Sequence, residues 1–555
     1  LAQAQRPAVA RDQLGSRRRM PGDEPSGCSI PETERRGITL RQLRQVASEI
    51  ERRCAEEGWT NREGKLLEPQ EVNLYEAMKY VILPATEARQ CSYVELVAAG
   101  PQVPRWFVSH WWGEPVLAFV RCLEQHAVDR GLGEDAPYWV CAYANNQWKA
   151  AEEVGDDPSD SSFRRAMHLA EGTVSVLDRN ATCYTRIWCS FEIWTTLSIL
   201  CRELNESGNG AKYLYDVYTE KADGSGAVGL TDGMAFVDTH SADGEPVMEA
   251  LRREYQNRRE KHFPMEMTSR ALTTSLERAE ASQEQDKRHI LNCIRGSADL
   301  NAEPPAEDKA YDEVNRLLAG KFATQAYSHV LKGGGSTAEH LAAMAASPLL
   351  HLSFDFCEYK RFQEDALTFM ASLPVTLVTL TIGMNGRRFK TSDEFAPGLA
   401  RLTSLRFLRL EFLSGKMTSC DCLGTELARL TELRHLHLNF RHCEYLESVE
   451  QIGVAIGNMP ELMSLTLNCE GCQEVSSVAT LAAGLACTKR LQKLHIDLRF
   501  TKPPREGLAA LCQAIVELES LTSLCLTIAC RDVGPYNEYF KDVAEVKAAV
   551  LEDRP

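Results

Sequence analysis

From Leu349 to the end of the chain, apolar residues recur in the frame L-x-x-L-x-L, whose last position also accepts Ile or Phe. The frame opens at Leu349, Leu377, Leu405, Leu433, Leu462, Leu491 and Leu521, so successive openings lie 28 to 30 residues apart. A period of two within each frame predicts a short strand with its leucines turned inward and the residues between them turned out. The strings GLARLTS, ELARLTE, AIGNMPE, GLACTKR and AIVELES stand just ahead of frames and read as helices, so each unit predicts one strand and one helix. Earlier in the chain, three apolar runs at 106–108, 138–141 and 173–177 predict buried strands separated by helical patterns, the signature of a parallel α/β sheet. Helical spacing also appears at Leu40, Leu43, Val46 and Ile50, and again at Val72, Leu74, Met78 and Ile82.

The repeating frame resembles the ribonuclease-inhibitor type of leucine-rich repeat, which implies a solenoid of about seven units with a helix on one side and an extended strand face on the other. The outward positions are mainly polar. Arg409, His435, His437, Asn439, Asn468, Lys493, His495 and Asp497 are the candidate residues for binding a protein partner or ligand on that face. At the ninth frame position the family's Asn or Cys appears as Cys357 and Asn385, but the later units carry Leu413, Arg441, Glu470, Arg499 and Ala529. Cys469 and Cys472 form a C-x-x-C near His442 and Cys443, chemistry that suits zinc. A single C-x-x-C without a matching pair favours buried thiols packing the repeat loops, so no metal is assigned.

In the first half of the chain, ligands of a parallel sheet would gather at the carboxyl ends of its strands. Ser109, His110 and Trp111 follow the first strand there, Asn145 and Trp148 the second, and Asp178, Arg179 and Asn180 the third. Next comes Tyr184, Trp188, Cys189 and Glu192, as Y-x-x-x-W-C-x-x-E, which resembles the start of a helix in Toll/interleukin-receptor (TIR) domains. Phe107-Val108-Ser109-His110 is similar to the first strand of those domains, and the strings SHWWGEPV and ANNQW resemble a TIR-like group that shares both. The resemblance covers about 100 residues. It departs at Cys141-Ala142-Tyr143, where an acidic residue is common, and at Trp111-Trp112-Gly113, which replaces a basic-Gly pair.

That resemblance implies self-association through the domain and cleavage of NAD at the nicotinamide–ribose bond, with Glu192 as the catalytic residue and NAD as substrate rather than bound cofactor. Ser109, His110, Trp111, Asn145 and Trp148 would then contact NAD. The residues themselves add that Glu192 is the one charged side chain between Ile187 and Leu200, four positions after Trp188. A carboxylate against aromatic surface has a raised pKa and can steady a cation-like sugar. The alternative is a first-turn glutamate complementing the helix dipole. A His110–Cys189 nucleophile pair has no supporting spacing, and Gly333-Gly334-Gly335-Ser336-Thr337 lacks a P-loop lysine and reads as a linker.

The expected organisation is a disordered 1–35, a helical cover at 36–103, the TIR-like α/β domain at 104–297, a linker with a short helix at 298–340, and repeats at 341–555. Arg17, Arg18 and Arg19 before Met20 leave a targeting segment open. Leu272, Leu276, Ala279 and Gln283 step at helical spacing within a charged stretch from Val247 to Ile294.

The net charge of -16 argues against nucleic acid as a partner, because affinity for phosphate backbones comes from Lys and Arg. The 19 cysteines are scattered through 555 residues, which points to reduced thiols and a cytoplasmic setting. No apolar stretch reaches the ~18 residues of a membrane span. The sequence therefore suggests an intracellular sensor or signalling protein whose repeats bind a partner and whose TIR-like domain hydrolyses NAD. The alternative is a non-catalytic scaffold.

Overall fold

The computed structural model describes residues 27–207, 213–229, 267, 272–333, 337–347, 349–356, 362–385, 388–528 and 538–551. The chain divides into two compact units, Leu1–Leu318 and Ala319–Pro555.

The first unit is built on a six-stranded sheet. Its strands are β1 (Ile38–Thr39), β2 (Trp106–His110), β3 (Pro137–Trp139), β4 (Gly172–Leu177), β5 (Leu214–Glu220) and β6 (Ala227–Gly229). The order is β1-β3-β2-β4-β5-β6; the middle four run parallel, while β1 and β6 add antiparallel edges. Parallel neighbours need long crossovers, and helices α2 (Val116–Arg130), α3 (Ser162–Leu169) and α4 (Ile187–Ser207) supply them. The chain order of the parallel strands reverses between β2 and β4. The carboxyl ends of those two strands therefore flank the crevice where ligands of open α/β sheets bind.

The sheet has two different buried faces. On one, His126 of α2 sits between Tyr138 OH (2.9 Å) and Asp216 Oδ2 (3.0 Å), and Arg130 holds Asp216 with two bonds of 2.7 Å. Although burial works to raise it, Arg130 and His126 together hold the Asp216 carboxyl below its usual range. The other face, under α4, carries Phe107, Ser109, Thr173 and Ser175.

Two expectations about the first hundred residues change. Residues 1–26 lie outside the described residues, but 27–35 are packed. Ile30 is fully buried, its N–H donates to Glu95 Oε1 (2.9 Å), and Arg36 donates to its carbonyl (2.7 Å). The segment 36–103 also contributes a strand to the sheet, where Ile38 pairs with Tyr138. Two residues are too short to show a period. The helix that follows, α1 (Leu40–Glu57), was legible: its buried Leu40, Leu43, Val46, Ile50 and Cys54 follow helical spacing. A Thr39–Gln42 capping box starts it, and Gly58 ends it in the left-handed conformation (φ 63°).

Of the charged stretch that begins at Val247, residues 247–266 lie outside the described residues. Residues 268–271 lie outside them too, and Met267 and Leu272 are helical; from Thr273 onward the stretch holds a 3-10 turn at Leu276–Arg278 and then α5 (Glu284–Ile294) in place of one continuous helix. The 298–340 linker with a short helix is instead dominated by the 25-residue α6 (Lys309–Gly333), followed by α7 (Ala338–Ala346). Gly334, Gly335 and Ser336 are outside the described residues. Among the described residues, no helix is long and apolar enough to cross a membrane.

The second unit contains an eight-stranded sheet. Seven strands follow one another in chain order and run parallel: β7 (His351–Asp355), β8 (Thr379–Asn385), β9 (Phe407–Leu413), β10 (His435–Asn439), β11 (Ser464–Asn468), β12 (Lys493–Asp497) and β13 (Ser523–Ile528). An antiparallel β14 (Glu538–Phe540) closes the far edge. The register keeps the frame: Leu380, Leu408, Leu436, Leu465, Leu494 and Leu524 are successive partners across the sheet, each at most 6% exposed.

Helices α8 (Phe362–Ala371), α9 (Asp421–Leu427), α10 (Glu450–Gly457), α11 (Ala479–Cys487) and α12 (Arg505–Val516) alternate with the strands, and α13 (Val543–Leu551) follows the last. The strings expected to be whole helices are mostly helix ends plus a turn. In GLARLTS only a 3-10 turn forms, at Leu399–Arg401. The reason is visible in the backbone: the N–H groups of Leu405, Leu433, Leu462, Leu491 and Leu521 each donate three residues back, a tight turn that must precede the strand.

The loops that leave the strands show how the units lock together. Ser414, His442, Gly471 and Phe500 occupy the same frame position, and all have positive φ, between 57° and 79°. The N–H of Ser414 donates to the carbonyl of Arg441, that of His442 to Glu470, and that of Gly471 to Arg499, each reaching the next unit. The Cys443 thiol donates to the carbonyl of Phe412 (3.2 Å) and Cys472 to that of Phe440 (3.1 Å). Burial pushes the Cys443 thiol up to about 12, keeping it protonated and able to donate. These bonds tie each strand-end loop to its neighbours. Among the described residues no group of three or more His, Cys, Asp or Glu is placed to hold a metal ion.

Candidate functional site

The open face of the second sheet displays the residues between the frame leucines in rows that cross the strands. One row is Phe407, His435, Ser464 and Lys493; the next is Arg409, His437, Thr466 and His495; a third is Glu411, Asn439, Asn468 and Asp497. Neighbours in a row stand ~4.8 Å apart, the spacing of paired strands. All eight candidate binding residues therefore share one surface. His435 and Lys493 are exposed, whereas Arg409, His437, Asn439, Asn468 and His495 are half-buried and Asp497 is buried.

The third row has a structural task that the sequence did not disclose. Asn439 Oδ1 accepts from the N–H of Arg441 (3.1 Å), Asn468 Oδ1 from that of Glu470 (2.9 Å), and Asp497 Oδ1 from that of Arg499 (3.1 Å). Each side chain thus caps its own strand end two residues on, an Asx turn repeated in three units. The acids of this face are also paired. Arg409 Nε donates to Glu411 Oε1 (2.5 Å), and Arg499 spans Asp497 and Glu470, which Arg441 reaches from the other side (2.9 Å). Phe407 was not singled out in the sequence, yet its ring lies 6.1 Å from that of His435. Burial, then Lys493 and Arg434, lower the pKa of His435.

No family model matches the chain. No curated protein matches it either. Among solved structures, the leucine-rich repeat-containing protein LegL7 from Legionella pneumophila aligns with 43% of this chain and 79% of its own at 15% identity, with a TM-score of 0.24, too low to carry an argument.

In the first unit, the structure brings Ser109 and Glu192 together. Glu192 lies in the second turn of α4 and is 4% exposed, and the Ser109 hydroxyl at the carboxyl end of β2 donates to its Oε2. Burial raises its pKa to about 8, against the smaller lowering effect of Ser109. At neutral pH the carboxyl is therefore mainly protonated. Around it runs a buried set of hydroxyls that sequence reasoning missed. Thr196 Oγ1 donates to Thr173 Oγ1 (2.9 Å), which meets Tyr213 OH (2.9 Å); Ser175 Oγ meets Tyr215 OH (3.1 Å), and Tyr215 OH meets Tyr184 OH (3.2 Å). The signal was present in the alternation Thr173, Ser175 and Tyr213, Tyr215, which puts polar groups on one face of β4 and at the start of β5.

The remaining candidates are arranged differently. His110 is turned to the opposite side of β2, with its ring 4.7 Å from that of Phe119. It has no side-chain hydrogen-bond partner among the described residues, and burial drops its pKa to about 4. The Cys189 thiol touches the His110 carbonyl (3.5 Å), not the ring. Asn145 is fully buried and accepts from Ser162 Oγ (3.0 Å). Trp148 donates from Nε1 to Thr86 Oγ1 (3.0 Å), tying its loop to the N-terminal helices. The half-buried Trp111 lies over Gly113, where any Cβ would come within 2.2 Å of its ring. Trp188 stacks on Phe163 (5.0 Å) and donates to Asp286 (2.9 Å). Of the six residues assigned to NAD chemistry, Ser109 and Glu192 are joined by a side-chain hydrogen bond.

Proposed function

We propose that this protein is a recognition scaffold that docks a partner protein on the concave strand face of a leucine-rich-repeat solenoid. What supports the reading most is the unbroken register of seven parallel strands, which sets polar side chains in rows on a broad open surface. Surfaces of this kind suit extended macromolecular partners. The first unit, a parallel α/β fold with TIR-like motifs, would then transmit the contact by self-association. In cells, Thr466→Trp at the middle of the face should remove specific partners from the co-purified set. Val454→Trp, at an exposed helix position, should leave them. Partners equally retained by both variants would reject docking on this face.

A second reading, NAD cleavage by the first unit, is favoured by one observation: the buried Glu192 carboxyl held by Ser109 beside the crevice of the sheet. Glu192→Gln preserves shape and removes the ionisable carboxyl, so nicotinamide release by the full chain should fall by orders of magnitude. No release by the unsubstituted protein at any concentration, even when forcibly dimerised, would leave the scaffold reading alone.

A further inference from the structure

The chain as a whole is acidic, with a net charge of -16. Its open strand face is not. Both acids in the third row are neutralised locally, Glu411 by Arg409 and Asp497 by Arg499. Asp355 stands on β7, three strands from β10, or ~14 Å at ordinary strand spacing. What remains in the centre is Lys493 with His435 and His495. Arg434, just before β10, is near enough to lower the pKa of His435. The patch thus carries the Lys493 ammonium beside imidazoles that can donate hydrogen bonds, on an anionic protein, with the Phe407 ring at its edge.

Resting on the docking role of this face, we propose that the partner segment it takes is an extended acidic stretch of protein. Charge complementarity selects the sign, since like charges opposed across an interface are strongly disfavoured. The row from Phe407 through His435 and Ser464 to Lys493 spans three strand spacings, ~14 Å, which an extended segment of about five residues would match. Carboxylates laid along it would meet imidazole and ammonium donors, and an apolar residue at the end would meet Phe407.

The test is fluorescence anisotropy of the full chain with a labelled peptide of alternating Glu and Asp, about eight residues long. Saturable binding is expected at ~0.1 M salt, weakening as salt rises. His435→Glu combined with Lys493→Glu should weaken it by about tenfold or more. Both side chains are exposed, so the melting temperature should hold and a folding defect is separable. The helix-side variant Val454→Glu should bind as the unsubstituted protein does.

Absence of saturable binding, equal binding to the double variant, or equally tight binding of an eight-nucleotide oligothymidylate would each overturn the acidic-protein assignment. If the peptide fails while Thr466→Trp still removes a cellular partner, the face is a docking surface for a different chemistry. If neither responds, the docking role itself falls.

Discussion

Gly484→Leu is expected to unfold the repeat unit. A Cβ at Gly484 would lie 2.1 Å from the carbonyl oxygen of Gly453 and 3.2 Å from the nitrogen of Gly457. From the other side, a Cβ at Gly453 would lie 2.4 Å from the nitrogen of Leu481. These are backbone atoms of neighbouring helices, which cannot swing aside as a flexible side chain would. Helices α10 and α11 are therefore packed backbone to backbone, and a larger residue must force the units apart. Overpacking a core side chain typically costs about 1–3 kcal/mol; separating two backbones and the strands beneath them should cost at least the upper end. Circular dichroism melting should show a large loss of melting temperature or no cooperative transition. Gly507→Ala is the control, because its nearest neighbour would be 3.5 Å away, an ordinary contact. A Gly484→Leu protein that melts like the control would contradict the backbone-to-backbone packing of α10 against α11.

Glu192→Gln should make the protein more stable, increasingly so as pH rises from about 5 to 8. The Glu192 carboxyl has a folded pKa near 8, raised by burial from 4.5. In that interval the unfolded chain releases the proton while the folded chain keeps it. Stability from this group is complete below the unfolded pKa and is lost as pH climbs through the folded one. Gln does not titrate and still accepts from Ser109. The difference between variant and parent should thus vanish below pH 4.5 and approach roughly 5 kcal/mol above pH 8. Denaturant melts at several pH values would read it directly. A difference independent of pH would mean that Glu192 is solvated and ionised throughout. Retaining such a group against stability is the pattern of a functional carboxyl, which keeps the NAD reading testable.

The parts of the fold that could be read in advance were those with a period. Leu436, Leu465 and Leu494 announced their strands because each recurs in phase with an alternating neighbour, and the structure places them in register. The helices of the repeats were legible in existence but displaced in position, since the residues just before each strand serve a tight turn and not the helix itself. What lacked a period was missed. Ile38–Thr39 pairs with β3 over two residues only, and Ile30 is buried through a contact with Glu95, 65 positions away.

The candidate sites follow the same rule. The outward rows of the second sheet follow from alternation alone. The capping of strand ends by Asn439, Asn468 and Asp497 was hidden, because an Asx turn looks like any exposed polar residue until the backbone is known. In the first unit, the contact of Ser109 with Glu192 joins positions 83 residues apart. His110, adjacent to Ser109 in sequence, points to the other face of β2, because successive strand residues must alternate. Reading Ser109, His110 and Trp111 as one cluster overlooked that alternation.

The most direct measurement of the central claim is site-specific photocrosslinking in cells, with a benzophenone amino acid placed at Thr466 on the strand face or at Val454 on the helix side. A discrete crosslinked protein is expected from position 466, absent from position 454 and lost when His435 and Lys493 are both changed to glutamate. Crosslinks that form equally from both positions, or only from position 454, would contradict that claim.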